Sequence, residues 1–273
     1  MWRLALVIAA ILSSGVAHPL VLRRGEGSQE GGATRMFELL SIHEMCSLDI
    51  IITLHRMGRD SGAEVQGKGC AELCNLAFSP ENRVAVGTKG GIEAVVRALG
   101  LHWSRSEIQD LGCSALRNLA ASEENRVAIA AKGGIEATVR AMTSHASSVG
   151  VQEQGCAVLC NLAANKENRV AIAAKGGIEA VARAMGAHTW NEGVQKQGCW
   201  TMSILAFNVE NQVAIAAKGG IEAVLTAMGA HESIAGVQEN GCGAVRNLAR
   251  NAENAAAIAA QGGIAAVLRA MGA

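Results

Sequence analysis

The 273 residues are half hydrophobic, yet they include no Tyr, three Phe and four Trp. A core of Ala, Val, Ile, Leu and Met suits closely packed helices better than a β-sandwich, which draws on aromatic and β-branched side chains. Acidic and basic residues balance at 24 each, and the basic ones are spread out, so no global field draws the chain to nucleic acid or to an anionic membrane.

The first 17 residues read as a signal-peptide-like segment. Arg3 is a positive start, Leu4 to Leu12 are apolar throughout, and Gly15 and Ala17 fit the small positions before a cut at His18. The stretch is too short to span a bilayer comfortably. This predicts a secretory route. The alternative is a cytoplasmic chain with a hydrophobic start, or an uncleaved anchor, which eight cysteines and the absence of any Asn-x-Ser/Thr sequon would suit better. Residues 18–35 are rich in Gly and Glu and predict a disordered linker. Residues 36–61 read as a degenerate N-terminal repeat, with Met36 to Cys46 a remnant first helix and Ile50 to Gly58 a second helix one residue short.

From about Gly62 to Ala273 the chain repeats itself every 43 residues. Gly-Cys occurs at Cys70, Cys113, Cys156, Cys199 and Cys242, each with its preceding glycine. Gly-Gly begins at Gly90, Gly133, Gly176, Gly219 and Gly262, and His102, His145, His188 and His231 keep the same step. Each unit resolves into three helices. The first is capped by Ser79, Ser122, Asn165, Asn208 or Asn251, whose side chains satisfy free helical N–H groups. Pro80 follows at the first helical position in one unit, and a Glu stands in the first turn of every unit. The first glycine of each pair predicts a left-handed C-terminal cap. The second helix is expected to begin at Ile92, Ile135, Ile178, Ile221 and Ile264. There Glu93/Arg97, Glu136/Arg140 and Glu179/Arg183 sit four residues apart on one face. The third helix is expected to start near Val65, Ile108, Val151, Val194 and Val237, and its Gly-Cys pair offers two small residues where helices cross closely.

The segment Gly150-Val-Gln-Glu-Gln-Gly-Cys-Ala-Val-Leu-Cys-Asn-Leu-Ala163, with Glu167-Asn-Arg-Val and Gly176-Gly-Ile-Glu-Ala-Val, resembles an armadillo repeat. Among armadillo variants it is similar to the 43-residue type of leucine-rich-repeat kinases and related repeat proteins, over about Asp49 to Ala273. The fold implied is an all-α, right-handed α-solenoid, an armadillo-like superhelix of about five three-helix repeats. The resemblance also implies that third helices line a concave groove for extended peptides and that an Asn there bonds the ligand backbone. That Asn is Asn75, Asn118, Asn161 and Asn247; an amide offers both donor and acceptor to a peptide bond. The nuclear-import branch also needs a Trp one turn earlier. Those positions hold Ala71, Ser114, Ala157, Trp200 and Gly243, and the unit with Trp200 has Ile204 in place of the Asn. No unit holds the pair.

Helical spacing sets residues i, i+4 and i+8 of each third helix in a column on this groove face. The columns read Asp110/Ser114/Asn118, Glu153/Ala157/Asn161, Lys196/Trp200/Ile204 and Glu239/Gly243/Asn247. They suit a basic or polar extended segment with one apolar side chain on Trp200. The Cys and His ladders each step by about 10 Å, the spacing of packed helices, which exceeds disulfide and shared-metal reach. The cysteines read as buried thiols and the histidines as turn residues. Lys-Gly-Gly lacks the phosphate-loop pattern, and no nucleophile–base set stands out, so neither catalysis nor a cofactor is expected. The leading expectation is a protein–protein interaction scaffold binding a peptide or partner protein. The alternative is a regulatory armadillo module of a larger, kinase-linked polypeptide. At the C-terminal end Val267, Leu268 and Met271 are expected to be partly uncovered, a possible surface for self-association.

Overall fold

The computed structural model describes residues 42–272, so the segment expected to act as a leader and the linker after it lie outside it. All sixteen elements in that range are helices. After α1 (Ile42–Arg59) come α2 (Ala63–Leu76), α3 (Pro80–Thr88), α4 (Gly91–Leu101), α5 (Ser106–Leu119), α6 (Glu123–Ala131), α7 (Gly134–Ser144) and α8 (Val149–Leu162). Then follow α9 (Lys166–Ala174), α10 (Gly177–Ala187), α11 (Glu192–Leu205), α12 (Val209–Ala217), α13 (Gly220–Ala230), α14 (Ala235–Leu248), α15 (Ala252–Ala260) and α16 (Gly263–Gly272). The 14-residue helices α2, α5, α8, α11 and α14 pack in sequence, as do the short helices and the second helices, so the chain forms an α-solenoid. One core runs its length from Ile50 to Ala266.

The glycine pairs make each turn. Gly90, Gly133, Gly176, Gly219 and Gly262 all have φ between 76° and 95°, a region a Cβ disfavours. The second glycine is needed for a different reason. A Cβ on Gly177 would lie 2.4 Å from Ile172 Cγ2 and 2.9 Å from its carbonyl oxygen. Because the left-handed residue is the N-cap, the helix begins on that second glycine, one residue before the isoleucine expected. The third helices likewise start two residues earlier than expected, at Ala63, Ser106, Val149, Glu192 and Ala235. The glycine of each Gly-Cys pair admits a second-helix side chain: a Cβ at Gly155 would stand 2.5 Å from Met142 Cγ.

Two expectations need correction. Residues 36–41 of the expected first helix lie outside the described residues; from Ile42 onward no glycine occurs before Met57, and α1 runs unbroken over 18 residues through the expected boundary between first and second helix. The carboxylates of Glu93, Glu136 and Glu179 do not pair with the arginines one turn away. They reach Lys132, Lys175 and Lys218 of the following unit, at 2.9, 2.9 and 3.5 Å. The Lys175 hydrogen bond holds the Glu136 carboxyl below the usual carboxylate range.

Three further ladders fix the stacking. Gln109, Gln152, Gln195 and Gln238 each donate to the last carbonyls of their own second helix, as Gln152 does to Met142 O (2.9 Å) and His145 O (2.9 Å). His102, His145, His188 and His231 are the C-caps of those helices. Their Nε2 atoms bond turn carbonyls of the preceding unit at 2.7–2.8 Å. Buried Asn125, Asn168 and Asn211 each donate to Leu119, Leu162 or Leu205 in their own unit, and to Arg83, Arg126 or Arg169 one unit back.

Candidate partner-binding groove

The third helices carry every residue the sequence singled out, and stacking brings their columns side by side. The asparagines have another partner there. Asn118 Nδ2 donates to Cys74 O (3.1 Å), Asn161 Nδ2 to Arg117 O (3.0 Å) and Asn247 Nδ2 to Ser203 O (2.9 Å), each on the preceding third helix. Asn118 and Asn161 remain half-buried, Asn247 is buried, and Asn75 is exposed. Where Ile204 interrupts the row, the buried Thr201 hydroxyl shares its one proton between Gln197 O (2.7 Å) of its own helix and Cys156 O (2.9 Å) of the preceding third helix, a link one turn earlier. Each amide thus ties two units together through a carbonyl that carries no sequence signature.

The charged members of the columns also lean on the next unit. A Cβ on Gly150 would lie 2.8 Å from Asp110 Oδ2, and one on Gly193 would lie 2.5 Å from Glu153 Oε2. Both glycines sit in the first turn of α8 and α11, where the helix dipole favours a carboxylate. Burial raises the Asp110 carboxyl above its ordinary value. Lys196 leans on Gly236 in the same way, its Cε 3.0 Å from the position a Cβ would take. Glu239 stays exposed.

Trp200 is 42 % exposed, which separates it from the core. It borders a depression of about 420 Å³ between α11 and α14, with Ser203, Glu239, Asn240, Cys242, Gly243 and Arg246. Gly243, in the column position that Trp200 fills one unit earlier, lines the depression without a side chain. Arg246 was not in the columns. It lies one residue before the asparagine row, the position of Arg117, whose guanidinium donates to Gln154 Oε1 (3.0 Å) on the next unit. Arg246 is exposed. The depression therefore takes in a residue beside the column as well as the column itself. Among the described residues no three His, Cys, Asp or Glu side chains are placed to hold a metal ion.

No protein-family model matches the chain, and no curated protein matches it. Solved structures do match in fold. The crystal structure of an engineered protein superimposes with a TM-score of 0.71 at 26% identity, over 80% of this chain and 87% of that one. A second engineered protein gives 0.69 at 27% identity, over 81% and 52%. A structure from work on a phosphorylation switch in the interaction between cadherin and beta-catenin gives 0.57 at 15% identity, over 84% and 49%. The chain spans about half the length of the latter two. These likenesses support an α-solenoid repeat fold.

Proposed function

We propose that this α-solenoid is a protein-binding scaffold whose third helices hold an extended segment of a partner, with an apolar side chain of that segment seated on Trp200. The observation that carries the reading is the depression beside Trp200. A large aromatic side chain stands 42 % exposed next to a glycine gap, where a nonpolar group gains most by leaving water. Glu239 and Arg246 border it, and neither has an ion-pair partner among the described residues. The asparagine Nδ2 atoms bind the preceding helix, which leaves the Oδ1 atoms of half-buried Asn118 and Asn161 as acceptors for peptide N–H groups. The neighbour from work on cadherin and beta-catenin supports a protein partner by fold alone.

The test is affinity for a partner captured from the native cell, measured with the full chain and with Trp200→Ala. Exposed aromatic anchors commonly contribute about 2 kcal/mol or more on truncation, so affinity should fall about thirtyfold while the melting temperature stays within a few degrees. If Trp200→Ala unfolds the chain and its folded fraction binds normally, Trp200 belongs to the packing and the groove assignment fails.

A further inference from the structure

The short helices carry a second surface, built from residues other than those of the third helices. Val84, Val127, Val170 and Val213 occupy the same place on α3, α6, α9 and α12, and are 40, 54, 54 and 51 % exposed. Their phase is fixed by bonds. Asn125 donates to Arg83 O (3.0 Å), Asn168 to Arg126 O (3.1 Å) and Asn211 to Arg169 O (3.1 Å), and each acceptor is the residue just before a valine. The side chains of Arg83, Arg126 and Arg169 fold back onto turn carbonyls at Ala77, Ala120 and Ala163, leaving the valines bare. One turn before each valine stands an exposed Glu: Glu81, Glu124, Glu167 and Glu210. None forms an ion pair among the described residues. One turn after stand the exposed small residues Thr88, Ala131, Ala174 and Ala217.

Single exposed valines are ordinary. Four in a row on adjoining helices make an apolar strip, the kind of patch that marks an interaction site. Val is also a poorer helix former than the Glu, Lys or Ala an exposed position readily takes. We propose that this strip docks an amphipathic α-helix of a partner protein, laid across α3, α6, α9 and α12 with basic residues along the flank that meets the glutamates.

Two physical points select that occupant. The strip offers no free backbone donors or acceptors, so an extended segment would leave its own N–H and C=O groups unpaired, whereas a helix satisfies them internally. Packed helices lie about 8–10 Å apart, and seven residues of α-helix rise about 10.5 Å, so apolar residues at every seventh position fall on successive valines. The row of glutamates, with Lys166 beside Glu167 the one basic residue adjacent to them in sequence, then favours lysines or arginines on one side of that seam.

The probe is a fluorescent synthetic 24-residue peptide with leucine at every seventh position, apolar companions between, and lysines along one flank. Its anisotropy is followed with the full chain. Saturable binding is expected, weakened tenfold or more by the exposed double variant Val127→Gln/Val170→Gln with an unchanged melting temperature. A permuted peptide of the same composition should bind at least tenfold less well, as should one with glutamate for lysine. Trp200→Ala should leave the affinity unchanged. The proposal is overturned if the wild-type chain does not bind, if the permuted peptide binds equally, or if the valine variant binds normally. Loss of binding in Trp200→Ala would place the peptide in the groove instead, and would overturn it too.

Discussion

Gly177 and Gly186 lie in the same helix and should respond to alanine in opposite ways. At Gly177 a Cβ meets the Ile172 backbone carbonyl at 2.9 Å; at Gly186 it meets nothing within 4 Å. Overpacking costs about 1–3 kcal/mol, whereas alanine gains about 1 kcal/mol over glycine in an open helical position. Gly177→Ala should therefore lower the denaturant midpoint and Gly186→Ala raise it or leave it unchanged. The thiols divide in a similar way. Cys70, Cys113, Cys156, Cys160 and Cys199 are buried, whereas Cys46, Cys74 and Cys242 are partly open. Burial pushes Cys70, Cys113, Cys160 and Cys199 up to about 12. A thiol reagent at neutral pH should modify three cysteines in the native chain and all eight in denaturant. Because the folded values are raised, this stabilisation is complete below the ordinary thiol value of 9.0 and is lost as pH climbs toward about 12. The melting temperature should fall steadily across that interval; a flat profile would count against buried thiols.

At the scale of the helix, caps and glycine turns were legible because they are local. Ser79 and Asn165 each accept from a backbone N–H three residues on, and the glycines act through their own φ. The glutamine and asparagine ladders were not legible. Asn168 bonds carbonyls at Arg126 and Leu162, and a carbonyl is the same on every residue, so nothing in the sequence marks the acceptor. The Glu–Arg spacing misled for a related reason: helical pitch makes the pair possible, but stacking offers Glu136 a lysine from the next unit. The column asparagines do lie on the third helices, while their bonds to the preceding helix follow only from stacking. Asn168→Ala removes two hydrogen bonds from a buried amide and should cost about 1–3 kcal/mol of stability, and Asn161→Ala, with one bond and partial exposure, about 1 kcal/mol. Urea titrations of both variants would show this ordering, and an Asn161→Ala effect confined to partner affinity would contradict it.

Across the whole molecule, the last described helix differs from its predecessors most in what covers it. Ile221 and Met228 are 4 and 1 % exposed, but their counterparts Ile264 and Met271 are 64 and 78 % exposed, with Leu268 at 63 %. Upstream, that face receives a third helix, whose Gly241 makes room for Met228. The expectation for Leu268 and Met271 follows from periodicity alone, and half-buried Val267 is the least open of the three. If copies of this chain pair through that face, sedimentation velocity gives a concentration-dependent coefficient. Ile264→Gln/Leu268→Gln should abolish that dependence without lowering helicity.

The histidine, glutamine and asparagine ladders bind each unit to itself and to the unit before it, and none reaches further. A chain joined only between neighbours behaves under load like a zipper rather than a single knot. Pulled from its two ends, the array should give way unit by unit, each event releasing 43 residues, or about 150 Å of contour. Single-molecule traces should show a regular sawtooth. The peak for the α8–α11 boundary should stand apart, since there a threonine hydroxyl holds the place of the asparagine amide.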